Sequence, residues 1–456
     1  MVQKLKNNLS KKIFIKTFGC QMNEYDSNRI IDLLKPNGYT TTKNLADTDC
    51  YIINTCHIRE KATDKVYHDI GRLKKKFRNK KKPILIVTGC VAQAENDQML
   101  KREKYIDSVV GPQSYHRIPE ILKDIELHRK RKIEKTEFEV IEKFDSLNVV
   151  KNSDTKISSL LTIQEGCDKF CHFCVVPYTR GPEHSRSFTE IINETKQLLL
   201  NGTKEITLLG QNVNAYSYKD KGKSYRLSDI IHELNSLKDL KRIRYTTSHP
   251  RDVTNDLIEA HKSCEKLMPI LHLPVQSGSS KILKLMNRKH DREYYLEIIN
   301  KIQEAKPNMK FSSDFIIGYP GETDDDFKET LELVNRIKFI NSYSFIYSQR
   351  PGTPATKVNE IDKEISKKRL QDIQDLLKSY QIGHKKSFFR KSVEVLFENK
   401  MKGQDKYFGR DNYLNPVVVE STENLTGKIM KIKIIDYNHN NLFGETIEVQ
   451  KKSCAA

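Results

Sequence analysis

The sequence predicts an α/β protein with an N-terminal parallel α/β sheet, a central partial (βα)6 barrel and a small C-terminal β-barrel. Short apolar runs alternate with amphipathic stretches through most of the chain, which is typical of parallel sheets with helical crossovers. Short β-rich runs with polar turns follow one another closely near the C-terminus, as in small β-barrels. The length of 456 residues suits about three domains of ordinary size.

The predicted domains follow changes in composition along the chain. They are an N-terminal domain at residues 11–128, a charged linker at 129–152, the barrel at 153–383 and the small β-barrel at 384–450. The linker is predicted from the basic run at residues 128–132 and from the Lys-, Glu- and Asp-rich passage after it. Such a composition favours a solvated, partly helical segment.

The overall composition indicates a polyanionic partner. Lys and Arg number 79 against 60 acidic residues, and this net charge of +19 favours nucleic-acid binding, although a lysine-rich proteome would give the same excess. No apolar run approaches the roughly 18 residues that span a bilayer, and the charged N-terminus lacks the apolar core of a signal peptide. We therefore expect a cytoplasmic protein whose nine cysteines are thiols or metal ligands rather than disulfides.

Three apolar runs of the N-terminal part, at residues 13–20, 49–56 and 83–90, each end in a cysteine. Helices predicted at residues 27–35 and 59–77 separate the runs, and ligands of such parallel sheets gather beyond the carboxyl ends of the strands. The three cysteines expected together at that edge are Cys20, Cys56 and Cys90. Three thiolates can hold three irons of a 4Fe-4S cluster and leave the fourth iron open. The alternative is that these strands end in small apolar cysteines by chance.

Three further cysteines, Cys167, Cys171 and Cys174, follow the next predicted strand at a C-x₃-C-x₂-C spacing. This set also suits a cluster with one open iron, where a substrate or cofactor can bind. One alternative is a zinc site completed by His172 or His184, although structural zinc often uses two separated pairs of ligands. Another alternative is a set of cysteines that are merely reactive or buried.

The central part contains six predicted strands that alternate with amphipathic helices. The strands are residues 159–163, 205–209, 243–247, 270–273, 313–317 and 343–347. Barrel enzymes place their chemistry in the loops after the carboxyl ends of the strands. Polar residues at or near those ends are our candidates for contacting a cofactor or substrate: Gln211, Asn212, Ser248, Gln276 and Asp314. The helix at residues 187–200 is predicted to begin with a capping box formed by Ser187 and Glu190.

The C-terminal part follows a charged helix, predicted at residues 363–386, that leads away from the barrel. Its β-rich runs are residues 392–397, 416–420, 427–436 and 445–449. Basic and aromatic residues alternate between the first two runs, and this mixture suits phosphate contact with base stacking. They are Lys400, Lys402, Lys406, Tyr407, Phe408 and Arg410. The alternative is a basic appendage with a structural role.

Together these motifs resemble the methylthiotransferase family of radical S-adenosylmethionine (SAM) enzymes. The cysteine loop resembles the cluster loop of radical SAM enzymes, and the strings at residues 19–27, 54–62 and 88–90 resemble the family's N-terminal domain. Strings after the barrel strands, such as Gly210-Gln-Asn-Val-Asn214, resemble its radical SAM core, and the C-terminal part resembles the RNA-binding TRAM domain, an OB-like barrel. His57 stands where the family pattern has a small residue.

The resemblance implies two 4Fe-4S clusters. The cluster on Cys167, Cys171 and Cys174 would bind SAM and take part in catalysis, and the auxiliary cluster on the N-terminal cysteines would carry sulfur. SAM would be both methyl donor and radical source, in contact with some of the five polar barrel residues. The strings favour members that act on tRNA over those that modify a ribosomal protein. They imply methylthiolation of adenosine 37 bearing an N6-dimethylallyl group, with an electron donor such as flavodoxin or ferredoxin, by a monomer without a membrane partner.

Two other functions fit the same residues. A related methylthiotransferase would use a threonylcarbamoyl adenosine or a protein side chain as its substrate. A noncatalytic, RNA-binding iron–sulfur sensor would carry the same cysteines and would not cleave SAM.

Overall fold

The N-terminal sheet is parallel throughout in a computed structural model, which describes residues 10–56, 62–128, 132–138, 140–148, 155–350 and 352–447. Its strands are β1 (Lys11–Thr17), β2 (Tyr39–Thr41), β3 (Cys50–Thr55), β4 (Ile84–Gly89), β5 (Ser108–Val110) and β6 (Ile133–Lys135), in the order β2-β1-β3-β4-β5-β6. Every residue of β3 is buried, because central strands of a parallel sheet are covered on both faces and are therefore apolar runs. The predicted parallel sheet is confirmed.

Helices flank this sheet between its strands. In the described residues they are α1 (Gln21–Leu34), α2 (Ala62–Lys76), α3 (Cys90–Glu95), α4 (Asp97–Arg102), α5 (Ile118–Leu127) and α6 (Val140–Asn148). The predicted helix at residues 27–35 was too short, because the first turns of α1 bury polar residues such as Asn23 and Asp26, which hide its apolar period. Residues 57–61 of the family string at residues 54–62 lie outside the described residues.

Part of the segment predicted as a solvated linker belongs to the N-terminal core. Strand β6 pairs with β5, and α6 buries Phe144 and Leu147 in the apolar core beneath the sheet. Lys143 is also fully buried, and its Nζ donates to Gln113 Oε1 at 2.9 Å and to Glu165. Charged neighbours hid these few apolar positions in the sequence, while residues 129–131 and 149–154 lie outside the described residues.

The central part is an open arc of parallel strands with two short antiparallel pairs of strands. Its strands are β7 (Ser158–Thr162), β8 (Gln164–Glu165), β9 (His184–Ser185), β10 (Glu205–Leu209), β11 (Ser217–Asp220), β12 (Lys223–Arg226), β13 (Arg242–Tyr245), β14 (Ile270–His272), β15 (Lys310–Ser312), β16 (Asp314–Ile317) and β17 (Tyr343–Ile346). β7, β10 and β13 form one sheet, β14 pairs with β15, and β16 pairs with β17. The antiparallel pairs are β8–β9 and β11–β12. The bridges Ile243–Leu267 and Gln276–Phe315 connect these pieces. Since β15 and β16 are one strand interrupted at Ser313, the arc has the six strands predicted.

Helices cover the outside of the arc, and among the described residues none is long and apolar enough to cross a membrane. They are α7 (Val176–Arg180), α8 (Phe188–Leu200), α9 (Leu227–Ser236), α10 (Asn255–Ser263), α11 (Ser280–Leu285), α12 (Arg292–Ala305), α13 (Asp324–Ile337) and α14 (Lys363–Lys386). Ser187 is the N-cap residue of α8, but its side chain accepts no capping hydrogen bond, so the predicted capping box is absent.

Helix α14 stays on the barrel, contrary to the prediction that it leads away. It packs against β16, β17 and α13, and it buries Ile373 and Leu377 in the barrel core. Arg369 of α14 also pairs with Glu322 at 2.8 Å and with Asp324 at 2.7 Å. α14 is therefore the helix of the sixth strand–helix unit.

The C-terminal part is a closed five-stranded barrel. Its strands are β18 (Ser392–Lys400), β19 (Lys406–Arg410), β20 (Pro416–Glu420), β21 (Ile429–Tyr437) and β22 (Leu442–Thr446), in the order β18-β19-β20-β22-β21. The prediction of a small barrel is confirmed, but it missed β19 and placed the last strand three residues late. Residues 448 and 449 of that predicted strand lie outside the described residues.

Two arginines of β13 attach the C-terminal barrel to the central one. Arg242 donates to Arg410 O at 2.8 Å and to Glu394 O at 3.1 Å. Arg244 donates to the carbonyls of residues 411 and 412 at 3.0 and 2.9 Å, and it pairs with Glu205 at 3.0 Å. Since β13 starts at Arg242, the small barrel lies at the amino-terminal ends of the barrel strands.

Helix α1 contributes to two apolar cores. Ile30 and Leu33 pack beneath the N-terminal sheet, whereas Met22 and Tyr25 pack with the core of the central barrel. The Tyr25 hydroxyl also donates to Glu194 of α8 at 3.2 Å. The N-terminal sheet is therefore joined to the barrel through a shared helix.

Replacing Phe144 by Ala should lower the free energy of unfolding by about 3–5 kcal/mol, because the change removes a buried aromatic side chain. Ile141 of the same helix is 62% exposed, so Ile141→Ala is the matched control and should cost less than about 0.5 kcal/mol. Urea denaturation followed by circular dichroism measures both. Equal, small effects would mean that this segment is a solvated linker after all.

Candidate functional site

The structure brings the three N-terminal cysteines to one edge of the parallel sheet. Cys20 is the N-cap residue of α1 after β1, Cys56 directly follows β3, and Cys90 begins α3 after β4. Gly19 has a φ of +110°, and a Cβ at its position would lie only 2.2 Å from the Cys56 Cβ. Only glycine therefore allows the segments that carry Cys20 and Cys56 to approach so closely.

Asn23 holds the two strand ends that lead to these thiols. Its Nδ2 donates to Phe18 O at 2.8 Å and to Thr55 O at 2.7 Å. Its Oδ1 accepts a hydrogen bond from the Cys20 thiol, with 3.7 Å between Sγ and Oδ1. The positions of Cys20 and Cys56 thus depend on one side chain in the first turn of α1.

The second cysteine set lies on a loop that joins β8 to α7. Gly166 starts the loop with a φ of +76°, and a Cβ there would lie 1.8 Å from Pro182 O. The loop is fixed to the turn after α11, because His172 N donates to Met286 O at 3.0 Å and Asn287 Nδ2 donates to Phe170 O at 2.9 Å. The three thiols of this set therefore emerge from a firmly held loop.

Burial affects the ionisation of these thiols. It raises the pKa of Cys167 and of Cys174 to about 12. Burial also raises the pKa of Cys20, although the positive charge of Arg180 opposes that rise. Such thiols are protonated at neutral pH until a bound metal draws off the proton, so metal binding releases protons at both sites.

Each of the two sites offers three cysteine sulfurs as possible ligands. Within the described ranges, no three His, Cys, Asp or Glu side chains converge on one point where a single ion would sit. A cubane needs separated thiolates, since each binds a different iron. Of the two histidines considered as a fourth zinc ligand, His172 has its Nδ1 2.9 Å from Leu285 O, and His184 has its ring stacked on Phe144 with 5.9 Å between the ring centroids. Three sulfur ligands at each site fit an iron–sulfur group.

Gln211 and Asn212 lie beside the cysteine loop, beyond the end of β10. Gln211 Oε1 accepts a hydrogen bond from Gly166 N at 2.7 Å, so this side chain holds the start of the loop. Asn212 Nδ2 donates to Glu183 Oε1 at 3.2 Å and to Asp252 Oδ2 at 2.7 Å. Both predicted residues therefore have structural partners at the barrel mouth.

Of the other predicted residues, Ser248 follows β13, Gln276 follows β14 and Asp314 begins β16. The backbone of Gln276, with a φ of +79°, pairs with that of Asp314 at 3.0 Å. Asp314 Oδ1 lies 3.4 Å from His272 Nε2. Ser248 is buried, and its Oγ has no hydrogen-bond partner among the described residues.

Several buried polar atoms of the mouth share this lack of a partner. Within the part of the chain that the structure describes, they are Asn212 Oδ1, Ser248 Oγ, His249 Nε2 and His290 Nε2. The two histidine rings lie 5.7 Å apart, and burial together with Arg288 lowers the pKa of His290 to about 4, so it is neutral at pH 7. An unpartnered buried polar atom costs roughly 1–3 kcal/mol. The cluster therefore fits a polar ligand such as SAM.

Two arginines near the thiols were missed by sequence reasoning. Arg288 Nη1 donates to Cys171 Sγ at 3.5 Å, and no local motif around it marks that role. Arg180 ends α7, and its Nη2 donates to Asn23 Oδ1 at 3.1 Å. The only available signal for Arg180 was its position six residues after Cys174 and directly before Gly181.

The basic, aromatic stretch of the C-terminal barrel is less open than predicted. Tyr407 is a core residue and cannot stack on a base, and Arg410 lies over the ring of the half-buried Phe408. Lys400 pairs with Asp405 at 2.8 Å, and Lys406 pairs with Glu420 at 3.0 Å. These exposed pairs contribute little to stability and can be exchanged for phosphate contacts.

Comparison with known proteins gives consistent matches. Residues 12–111 match the model for uncharacterized protein family UPF0004, and residues 161–334 match the radical SAM superfamily. The tRNA-2-methylthio-N(6)-dimethylallyladenosine synthase of Pelagibacter ubique is 59% identical over 98% of this chain and 100% of its own length. The enzyme of the same name from Rickettsia akari is 48% identical over 96% of this chain and 100% of its own length.

A solved structure shares the fold at low sequence identity. The radical SAM methyltransferase TsrM from Kitasatospora setae superposes with a TM-score of 0.55 at 11% identity, over 76% of this chain and 77% of that one. At this identity the likeness is one of fold.

Gly166→Ala should lower the midpoint of thermal unfolding far more than Gly222→Ala. Both glycines have positive φ, at +76° and +83°, but a Cβ at Gly222 meets nothing within 4 Å. The control therefore carries the backbone strain alone, on the order of 1–2 kcal/mol, while the Gly166 variant adds a backbone clash. Similar shifts for the two variants would show that the start of the cysteine loop tolerates a side chain.

Proposed function

The chain belongs to the tRNA-2-methylthio-N(6)-dimethylallyladenosine synthase family, and from this membership we propose that it methylthiolates tRNA. The substrate is N6-(dimethylallyl)adenosine at position 37, and the product is its 2-methylthio derivative. As a radical SAM enzyme, the protein uses SAM and a 4Fe-4S cluster.

One observation carries this proposal: two three-thiol sites lie next to the two ends of one short helix. Cys174 stands two residues before α7, and Arg180 at its other end reaches Asn23 beside Cys20. Helix α3, which begins with Cys90, packs against the same helix. Since five helical residues span about 7.5 Å, groups held by the two sites can act on one substrate.

We assign the SAM-binding cluster to Cys167, Cys171 and Cys174 and an auxiliary, sulfur-carrying cluster to the N-terminal cysteines. These groups supply a radical source, a methyl donor and a sulfur carrier when bound. The residues of the chain hold and orient them. Gln211 holds the start of the cysteine loop, and Asn212 is held beside it by Glu183 and Asp252. The Ser248 hydroxyl, which has no hydrogen-bond partner among the described residues, can contact SAM.

Gln276 and Asp314 complete the proposed SAM pocket on the far side of the mouth. Asp314 is about one-third exposed, and its carboxylate lies beside His272, so it can accept hydrogen bonds from a ribose or amino group. The neutral His249 and His290 line the same space. Burial keeps both rings neutral, so they add no positive charge of their own to that of Arg288 at the mouth.

The remaining partners follow from the family and from charge. We propose that the C-terminal barrel, residues 384–450, contacts the tRNA backbone, and that a flavodoxin or ferredoxin delivers electrons to a monomeric enzyme in the cytoplasm. The net charge of +19 supports an RNA partner.

Changing Cys167, Cys171 and Cys174 to Ala should remove about half of the bound iron and abolish SAM cleavage, because one of two clusters is lost. Changing the N-terminal cysteines instead should remove a similar share of iron, spare 5′-deoxyadenosine formation and stop methylthiolation. Iron analysis and product chromatography measure these outcomes. Full iron in the second variant would exclude the auxiliary cluster.

Changing Lys400, Lys402 and Lys406 to Gln should weaken tRNA binding and lower its salt dependence. The variant makes fewer phosphate contacts, so its binding releases fewer counterions from the tRNA. The slope of log K against log salt concentration should fall by roughly 2. The same change at three exposed lysines of α14, Lys363, Lys368 and Lys378, is the control and should leave the slope unchanged. Equal slopes of log K against log salt concentration for the two variants would refute the proposal that this barrel contacts the tRNA backbone.

Unprenylated tRNA should react poorly, since the prenyl group can contribute ~0.8 kcal/mol per buried CH₂. The assay supplies reduced enzyme, SAM, a sulfur source and tRNA with or without the N6-dimethylallyl group, and counts methylthio nucleoside by mass spectrometry. Equal rates would refute the prenyl requirement. Activity on threonylcarbamoyl tRNA alone would indicate the related substrate.

A further inference from the structure

A buried arginine of the barrel reaches the N-terminal thiol site. The Arg180 side chain is 2% exposed, and its Nη2 donates to Asp26 Oδ2 at 2.9 Å and to Asn23 Oδ1 at 3.1 Å. Its Nη1 lies 3.7 Å from Glu165 Oε1. The guanidinium therefore lies between the first helix of one module and the cysteine loop of the other.

The same oxygen, Asn23 Oδ1, accepts from Arg180 and from the Cys20 thiol. Asn23 Nδ2 meanwhile holds the carbonyls of Phe18 and Thr55, on the strands that lead to Cys20 and Cys56. A charged donor makes the stronger hydrogen bond. Arg180 thus fixes the orientation of the amide on which the geometry of two thiols depends.

Charge gives Arg180 a second effect. Thiols that bind a metal do so as thiolates, and a reduced iron–sulfur group is more negative than its oxidised form. Net charge and hydrogen bonding around the sulfurs set the reduction potential of such groups. A buried positive charge beside Cys20 therefore favours the reduced form.

We propose that Arg180 is a positioning residue of the N-terminal thiol site, where it orients Asn23 and raises the reduction potential of the iron–sulfur group held by that site. This inference rests on the auxiliary cluster of the proposed function. It assigns to the barrel a residue that tunes a group bound by the other module.

The test uses the full chain with Cys167, Cys171 and Cys174 changed to Ala, so that only the N-terminal site can bind iron. In this background, Arg180→Gln should shift the one-electron reduction equilibrium toward the oxidised form, on the order of tenfold, which equals 59 mV. Arg180→Lys keeps the positive charge, so its reduction potential should be close to that of the parent background. Redox titration followed by electron paramagnetic resonance measures the equilibrium, and iron content is measured in parallel.

Arg186→Gln is the matched control. Arg186 is equally buried and pairs with Glu194 at 2.9 Å, so its loss should lower the unfolding midpoint and leave the potential unchanged. Asp26→Asn gives an independent reading if Arg180→Gln does not fold. This nearly isosteric change removes the carboxylate beside Arg180 and should shift the potential upward.

The outcomes distinguish the existence of the auxiliary cluster from the role of Arg180 beside it. Absence of iron from the parent background would refute the auxiliary cluster itself. Normal iron content with unchanged potentials in the Arg180→Gln and Asp26→Asn variants would overturn the role of Arg180 alone. An equal shift in the Arg186→Gln variant would also overturn it, because the effect would then follow from loosened packing.

Discussion

Two cations and two anions are buried together where the N-terminal sheet meets the barrel, and the relative placement of the two thiol sites depends on them. Arg180 pairs with Asp26 at 2.9 Å and lies 3.7 Å from Glu165, which also pairs with Lys143; each of these side chains is at most 2% exposed. Removing one member of a buried pair leaves an uncompensated charge and costs roughly 3–5 kcal/mol. The network therefore allows little freedom in how α1, α6, β8 and α7 meet.

Buried ion pairs of this kind fix the relative orientation of the two modules as well as contributing to stability. Replacing buried ion pairs by apolar residues is often neutral for stability, so apolar packing of α1 against β7 could have held the two modules together. Hydrogen-bonded charges add a fixed geometry. Nη2 of Arg180 donates to both Asn23 and Asp26, and these two bonds align Cys20 with the helix that follows Cys174.

Local pattern was sufficient for the fold class and for the grouping of the N-terminal cysteines. Strand ends such as Cys56 and Cys90 are predictable because parallel strands share one edge, and that rule needs no side-chain detail. Partners distant in sequence were not predictable in the same way. Arg180 and Asn23 are 157 residues apart, and no local sequence motif predicts that they are in contact.

Misjudged segments have a common physical cause, which is that charge hides apolar positions. α6 buries Phe144 and Leu147 between charged neighbours, and β19 places the core residue Tyr407 among lysines. In α6 the two core residues lie three positions apart, and in β19 the buried residues Tyr407 and Gly409 alternate with half-buried ones. The surrounding charges dominate a composition-based prediction, so the first segment was predicted as a linker and the strand β19 was missed.

Because α1 contributes to two apolar cores, the N-terminal and central parts of this protein are not structurally independent domains. The two matched family models end and begin at residues 111 and 161, yet β6 and α6 lie between them and complete the first core. A graft of the N-terminal module onto another barrel would leave Met22 and Tyr25 facing water unless it also carried the surface of β7. Recombination at the boundaries visible in sequence would therefore cut through a folding unit, and the two modules are expected to change together over evolution.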